Sequence, residues 1–241
     1  MNIKILFLPF LVYICFGFQT DKLREAQKLA DNNQNKEAIA ICTSEINNLS
    51  SKDTLLVRFL QLRAECYTMV GENTLGISDY KRLIEYKPQK VSYYIGLSYL
   101  YSQLKDMSSC LEVLYKALSF SKRDFYLYNN LSYNLAQAGK YDDAVKYATE
   151  GLKYVNDTKW KGALLNNRGY GFIGLKQYNI ALNDINESIK LNPDNPFAYC
   201  YRAIANIGLK RMGTVCDDLN KSKSIGGVHL TADLLKKYCK N

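Results

Sequence analysis

An all-α fold of stacked helical hairpins is predicted for this chain by three observations. A pattern recurs at near-constant spacing. Small residues recur at two fixed places inside each copy. Only four prolines interrupt 241 residues, so long helices are permitted. Aligning RAECYTMVGENTLGISDYKRLIEYKP, LSYLYSQLKDMSSCLEVLYKALSF, LSYNLAQAGKYDDAVKYATEGLKY, RGYGFIGLKQYNIALNDINESIKLNP and RAIANIGLKRMGTVCDDLNKSKSIGG gives periods of 34, 34, 37 and 34 residues. A weaker copy, REAQKLADNNQNKEAIAICTSEI, lies 38 residues upstream. Six units follow, at about 19–52, 57–90, 91–124, 125–158, 162–195 and 196–229.

Where two helices of a hairpin cross, the backbones approach closely and large side chains do not fit. The first helices place Ala26, Ala64, Ser98, Ser132, Gly169 and Ala203 at that crossing. Twelve residues later the second helices place Ala38, Gly76, Cys110, Ala144, Ala181 and Val215 there. Large apolar groups flank the crossings at helical spacing: Leu60, Tyr94, Tyr128, Leu165 and Tyr199, then Tyr67, Tyr101, Leu135 and Phe172. Gly71 and Gly139 mark turns between helices, and Pro88 and Pro193 mark unit ends. The three glycines of GYGFIG at 169–174 fall inside a first helix rather than after a strand, so they read as helix packing and not as a phosphate loop. Residues 230–241 add a capping helix, with Leu230, Leu234 and Leu235 on its apolar side and Lys236, Lys237 and Lys240 on its wet side.

The pattern resembles the tetratricopeptide (TPR) family over residues 19–229. The fifth unit matches best, with Leu165, Gly169, Phe172, Tyr178, Ala181 and Pro193 at pattern positions. The third departs most, with Ser98 and Cys110 at its small positions; the first has polar Lys22 and Glu25 where core is expected; the last has Asn206 in place of an aromatic. The resemblance implies a right-handed superhelical solenoid of about six helix-turn-helix repeats whose first helices line a concave groove. Carried onto this chain, the groove positions include Asn129, Asn130, Asn166 and Asn167, then Tyr99, Tyr133 and Tyr170, then Gln103 and Gln137. Side-chain amides both donate and accept, and tyrosine offers flat apolar area with a polar tip, so these residues form a candidate strip for an extended peptide. The paired cations of a carboxylate clamp are not recognisable. The expected function is a protein-binding scaffold, with a structural or assembly subunit working through its ends or convex face as the alternative. A large exposed apolar patch at residues 19–50 would favour that alternative.

The chain carries one histidine, His229, and no GxSxG, HExxH, P-loop or dinucleotide fingerprint. Catalysis, a metal, a cofactor and a small-molecule substrate are therefore not expected. The net charge of +9 is interleaved with acids along the sequence, as in KYDDAVKYATEGLK, so nucleic acid is not expected either. Attraction to an anionic envelope would be peripheral, weak and salt-dependent.

The first eighteen residues, MNIKILFLPFLVYICFGF, pair a positive start at Lys4 with an uncharged run from Ile5 to Phe18. That run is shorter than the roughly 20 residues of a membrane span and has the length of a signal-peptide core. Cleavage near Gly17 or Gln19 is expected, giving a periplasmic or secreted protein; a retained anchor and lipidation at Cys15 are the alternatives. Tyr13 and Ile14 are bulky for a lipoprotein signal.

Export implies an oxidising compartment, where some of Cys42, Cys66, Cys110, Cys200, Cys216 and Cys239 pair. Cys42 and Cys66 stand at equal heights about one loop, and Cys216 and Cys239 about another, so these two bridges are expected. Cys110 reads as a buried thiol, and Cys200 as groove-facing. The Asn-x-Ser sites at Asn48 and Asn186 read as chance in an Asn-rich chain. N-terminal sequencing of the protein from fractionated cells tests export: the mature chain should begin near residue 18–20 outside the cytoplasm, and a full-length cytoplasmic chain would contradict it.

Overall fold

The structure, a computed structural model, describes residues 8–50 and 53–239, with side chains from residue 20 onward. Most of the expected leader thus lies outside the described residues or is described as backbone alone. Among the described residues no helix is long and apolar enough to cross a membrane. The described residues form thirteen α-helices and no strand. Helices pair as α1 (Leu8–Asp31) with α2 (Asn35–Asn48) and α3 (Thr54–Val70) with α4 (Asn73–Tyr86); α5 (Val91–Gln103) is followed by α6 (Met107–Phe120), which spans the division between the two compact units. Then come α7 (Phe125–Gln137) with α8 (Tyr141–Gly151), α9 (Thr158–Gly174) with α10 (Tyr178–Leu191), and α11 (Pro196–Gly208) with α12 (Val215–Ser224). A last helix, α13 (Val228–Tyr238), follows. The chain divides into two compact units, residues 1–113 and 114–241.

Two first helices begin earlier than the repeat pattern alone suggests. The Asp53 carboxylate accepts from Leu55 N, and that of Asp157 from Trp160 N. Each satisfies an otherwise orphaned N–H, so α3 and α9 start at Thr54 and Thr158 rather than near 57 and 162. Asp124 and Asn195 cap α7 and α11 in the same way.

Every hairpin turn places a residue of positive φ at the same point of its unit: Asn33, Gly71, Lys105, Gly139, Lys176 and Lys210. The left-handed conformation is strained for a side chain such as lysine by roughly 1 kcal/mol. The turn geometry is therefore imposed by the helices it joins.

All twelve small residues of the crossings are buried. A Cβ on Gly169 would lie 2.7 Å from Ile185 Cγ1 of α10, and one on Gly171 would lie 2.7 Å from Val145 Cγ2 of α8. Gly174 receives the Tyr141 ring and Gly208 the Tyr178 ring. The glycine-rich stretch is thus a packing surface toward both neighbouring second helices.

Polar groups tie the hairpins as well. Arg63, Arg168 and Arg202 form bidentate pairs with Asp79, Asp184 and Asp218, always sixteen residues on, from first helix to second. The aspartate side chains are 3%, 10% and 4% exposed. Each guanidinium also donates backward, to Thr43, Thr149 or Asn186 on the preceding second helix. One arginine therefore holds its own hairpin closed and fastens it to the one before. In the third and fourth units the same two places hold Leu97 with Val113 and Leu131 with Tyr147. Fork-shaped arginine suits this role because both carboxylate oxygens are engaged at once.

At the C-terminus, Leu234, Leu235 and Tyr238 of α13 pack on Ala203, Val215 and Leu219. Helix α13 begins at Val228, two residues before the expected Leu230, and Lys236 and Lys237 face solvent. A Cys216–Cys239 disulfide, with Cα atoms 5.6 Å apart, fastens it to α12. The second expected bridge is absent: Cys42 and Cys66 are both buried thiols. Equal height about a turn does not set the direction in which two side chains face.

Unfolding in urea tests the charge pairs. Asp184→Ala alone, which strands the Arg168 guanidinium, should lower stability by about 3 kcal/mol. Arg168→Leu combined with Asp184→Val, copying Leu97 and Val113, should return to within about 1 kcal/mol of the natural chain. A double variant no more stable than the single one would show that the pair has a role beyond satisfying its own charges.

Candidate functional site: the inner face of the first helices

The first helices carry the candidate strip, and each unit presents it differently. In residues 1–113, α1 and α3 bound a groove of about 540 Å³ lined by Leu23, Arg24, Lys28, Arg58, Gln61 and Glu65 among others. Its walls are largely polar and carry both signs of charge. Farther along this unit, Tyr99 is 50% exposed and Gln103 is also exposed on α5. Sequence reasoning did not single out the groove residues, because a surface of mixed charge looks the same in sequence whether it lines a groove or a convex face.

In residues 114–241 the strip is largely engaged by the protein itself. Asn167 is buried, and its Nδ2 donates to the Asn129 carbonyl and side-chain oxygens, both at 3.0 Å, from α9 to α7. Asn130 Nδ2 donates to the Tyr126 carbonyl within its own helix. Asn166 is 4% exposed, and its Oδ1 has no hydrogen-bond partner. Asn166 and Asn167 are thus not the exposed amides expected from sequence, and Asn129 is structural as an acceptor. Gln137 remains exposed.

The tyrosines also pack. Tyr170 stacks on Tyr201 with centroids 4.5 Å apart and planes 11° apart. Tyr133 meets Phe197 edge-on at 6.2 Å, and Phe197 meets Tyr201 at 6.1 Å and His229 at 6.4 Å. Four helices thereby contribute to one aromatic band. Burial, together with the neighbouring Tyr170 and Tyr133 phenols, holds the Tyr201 hydroxyl well above its ordinary pKa. Phe197 and Tyr201 were missed in sequence, because apolar residues at helical spacing read as ordinary repeat core. Cys200 is buried rather than groove-facing, with its Sγ 3.6 Å from the Leu230 carbonyl under the last helix.

The tetratricopeptide repeat family matches residues 91–124. Over 88 residues the chain is 33% identical to RNA polymerase II-associated protein 3 of Xenopus laevis, a stretch covering 36% of this chain and 13% of that protein. Among solved structures, a tetratricopeptide repeat protein from Parabacteroides merdae aligns with a TM-score of 0.73 at 17% identity, over 92% of this chain and 84% of that one. YrrB, a TPR protein with an unusual peptide-binding site, aligns with a TM-score of 0.54 at 16% identity, over 81% of this chain and 97% of its own. Residues 91–124 thus match a tetratricopeptide repeat, and the hairpin stack has the TPR fold.

Among the residues described with side chains, the four free thiols, Cys42, Cys66, Cys110 and Cys200, are all interior. Burial pushes Cys42 up to about 12 and Cys66, Cys110 and Cys200 up to about 11. Among the described residues no group of three or more His, Cys, Asp or Glu side chains is placed to hold a metal ion.

A thiol whose folded pKa is raised keeps its proton more tightly in the folded TPR array than in the unfolded chain. That contribution is complete below the unfolded value of about 9 and is lost as pH climbs toward 11–12. Thermal melts should therefore fall in midpoint above pH 9. A disulfide-exchange reagent at pH 8 should titrate none of the four thiols until denaturant is added. Rapid reaction of any of them in the folded protein would contradict this burial.

Proposed function

We propose that this chain is an exported scaffold that holds an extended segment of a protein partner against the inner face of its first helices. The observation that carries the reading is the open polar groove between α1 and α3, with Tyr99 and Gln103 exposed farther along the same unit. A polypeptide backbone alternates donors and acceptors, and the Arg24, Lys28, Gln61 and Glu65 side chains supply complements to both. The Tyr99 ring offers area at low entropic expense, since only two torsions are fixed on binding. YrrB, similar in fold, is described as having a peptide-binding site, and this supports a peptide as the occupant.

Export rests on the charged start, the short apolar run and the Cys216–Cys239 bridge, which an oxidising compartment preserves. A scaffold of this kind needs no catalytic group or cofactor, and its contact with an anionic envelope would be peripheral. The assembly-subunit alternative gains no support from residues 20–50, where no large apolar side chain is exposed among the described residues.

Site-specific photocrosslinking tests the assignment. A photoreactive residue at Tyr99, on a first helix, should capture a defined partner in the native compartment. The same residue at Ile180, 48% exposed on second helix α10, should not. Capture from Ile180 alone would transfer the function to the outer face.

A further inference from the structure

The groove between α1 and α3 has a charge polarity that runs along it. Arg58, Gln61 and Glu65 line it from α3, and their spacing of three and four residues puts them on one face of that helix. The face opens with a cation and ends, two turns or about 10 Å later, with a carboxylate. On α1 the order is the same, with Arg24 and Lys28 before Asp31. The chain reverses at both ends of α2, so α1 and α3 run in one direction and their two gradients add. Leu23 and Leu62, 6% and 4% exposed, supply the apolar part of the lining.

The charges at the two ends are not cancelled within the chain. Arg24 pairs with Asp21, but the Arg58 guanidinium has no ion pair or hydrogen bond among the described residues. At the other end both carboxylates are held by amides rather than by cations. Gln27 Nε2 donates to Asp31 Oδ1 and Gln61 Nε2 to Glu65 Oε1, each at 2.9 Å. Gln61 is steadied in turn from α5, where the Tyr93 hydroxyl donates to its Oε1 at 3.5 Å. An amide fixes a carboxylate without neutralising it. The Lys28 ammonium lines the same groove and pairs with neither acid, so two carboxylates stand against one cation there. Helix stability does not call for this layout, since Asp31 is the last residue of α1, where the macrodipole disfavours a carboxylate.

Resting on the inner-face reading, we propose that this groove selects a dipolar segment of its partner: one acidic side chain facing Arg58 and one basic side chain, about three residues away, facing Glu65 and Asp31. A peptide in the polyproline II conformation repeats its facing every three residues, over about 9 Å, which matches the span from Arg58 to Glu65 along α3. Arg58 and the two acids then gain the opposite charges that this chain does not give them. A segment with like charges at both ends is repelled at one of them, so the groove discriminates by charge pattern. Either chain direction satisfies both ends, so the rule concerns the pair of charges and not their order.

The test titrates the full chain at low salt, by NMR, with four blocked tetrapeptides: Ac-Glu-Ala-Ala-Lys-NH2 and the versions with Glu, Lys or Gln at both ends. The Glu/Lys peptide should bind about fivefold more tightly than the Gln/Gln peptide, the combined effect of two exposed ion pairs of ordinary strength. Both like-charged peptides should bind less tightly than the Glu/Lys one. In about 1 M salt, where the screening length is about 3 Å, the advantage should largely disappear. Charge reversal should move the preference: Arg58→Glu toward the Lys/Lys peptide and Glu65→Lys toward the Glu/Glu peptide. Both positions are exposed, and thermal melts establish that each variant is folded. Equal binding of the four peptides, binding of none, or a preference that neither reversal moves overturns the dipolar rule. The scaffold assignment is separable: capture through Tyr99 without any charge preference retains the scaffold and removes the rule, whereas the preference without capture retains the rule and removes the assigned partner.

Discussion

Close approach of the two helices in each hairpin is the constraint on which the rest of this protein depends. It requires a small residue at one point on each helix, and all twelve such positions are buried. Once the helices meet there, the larger side chains on either side find fixed neighbours. Ile185 packs over Gly169, and Tyr141 and Tyr178 fill the hollows left at Gly174 and Gly208. A larger residue at a crossing would part the helices and displace these contacts together, because a packed interior does not yield locally.

The arginine–aspartate pairs work within the space that the crossings define. Their fixed separation of sixteen residues places guanidinium and carboxylate at matching heights on the two helices. Leucine with valine or tyrosine stands at the same places in the third and fourth units, so these places accept either chemistry. A buried ion pair and an apolar pair of similar volume can be close to equivalent in net stability. What differs is selectivity: the charged version is strongly unfavourable if either partner is missing, which discourages hairpins from pairing out of register.

Much of this architecture was legible in the sequence because repetition multiplies weak signals. A single alanine at Ala64 says little, but small residues at the same phase in six copies mark a crossing. The ion pairs carried an equally regular signal, Arg63 to Asp79 repeated at Arg168 and Arg202, yet a reading built on apolar periodicity passes over charged residues. The inner face was less legible for a different reason. Whether Asn166 faces solvent or is buried depends on the slope at which successive hairpins stack. That slope is fixed by contacts between units, such as Asn167 to Asn129 across 38 residues, rather than by any pattern within one unit. The thiols show the same limit: the bridge at Cys216 and the unbridged pair at Cys42 and Cys66 have nearly equal spacings, and only side-chain direction separates them.

The strained turns carry an electrostatic corollary. Hairpin topology sets all first-to-second-helix turns of a unit along one edge, and in residues 114–241 those turns expose Lys140, Lys176 and Lys210, with Arg211 beside the last. Two of these lysines are held in the left-handed conformation that few side chains adopt. Part of the positive charge of this unit therefore stands on its turns, with Asp142 and Asp143 exposed beside the first of them. An anionic surface that met this edge would find cations at the second and third of these turns and both signs of charge at the first, with any attraction screened by salt.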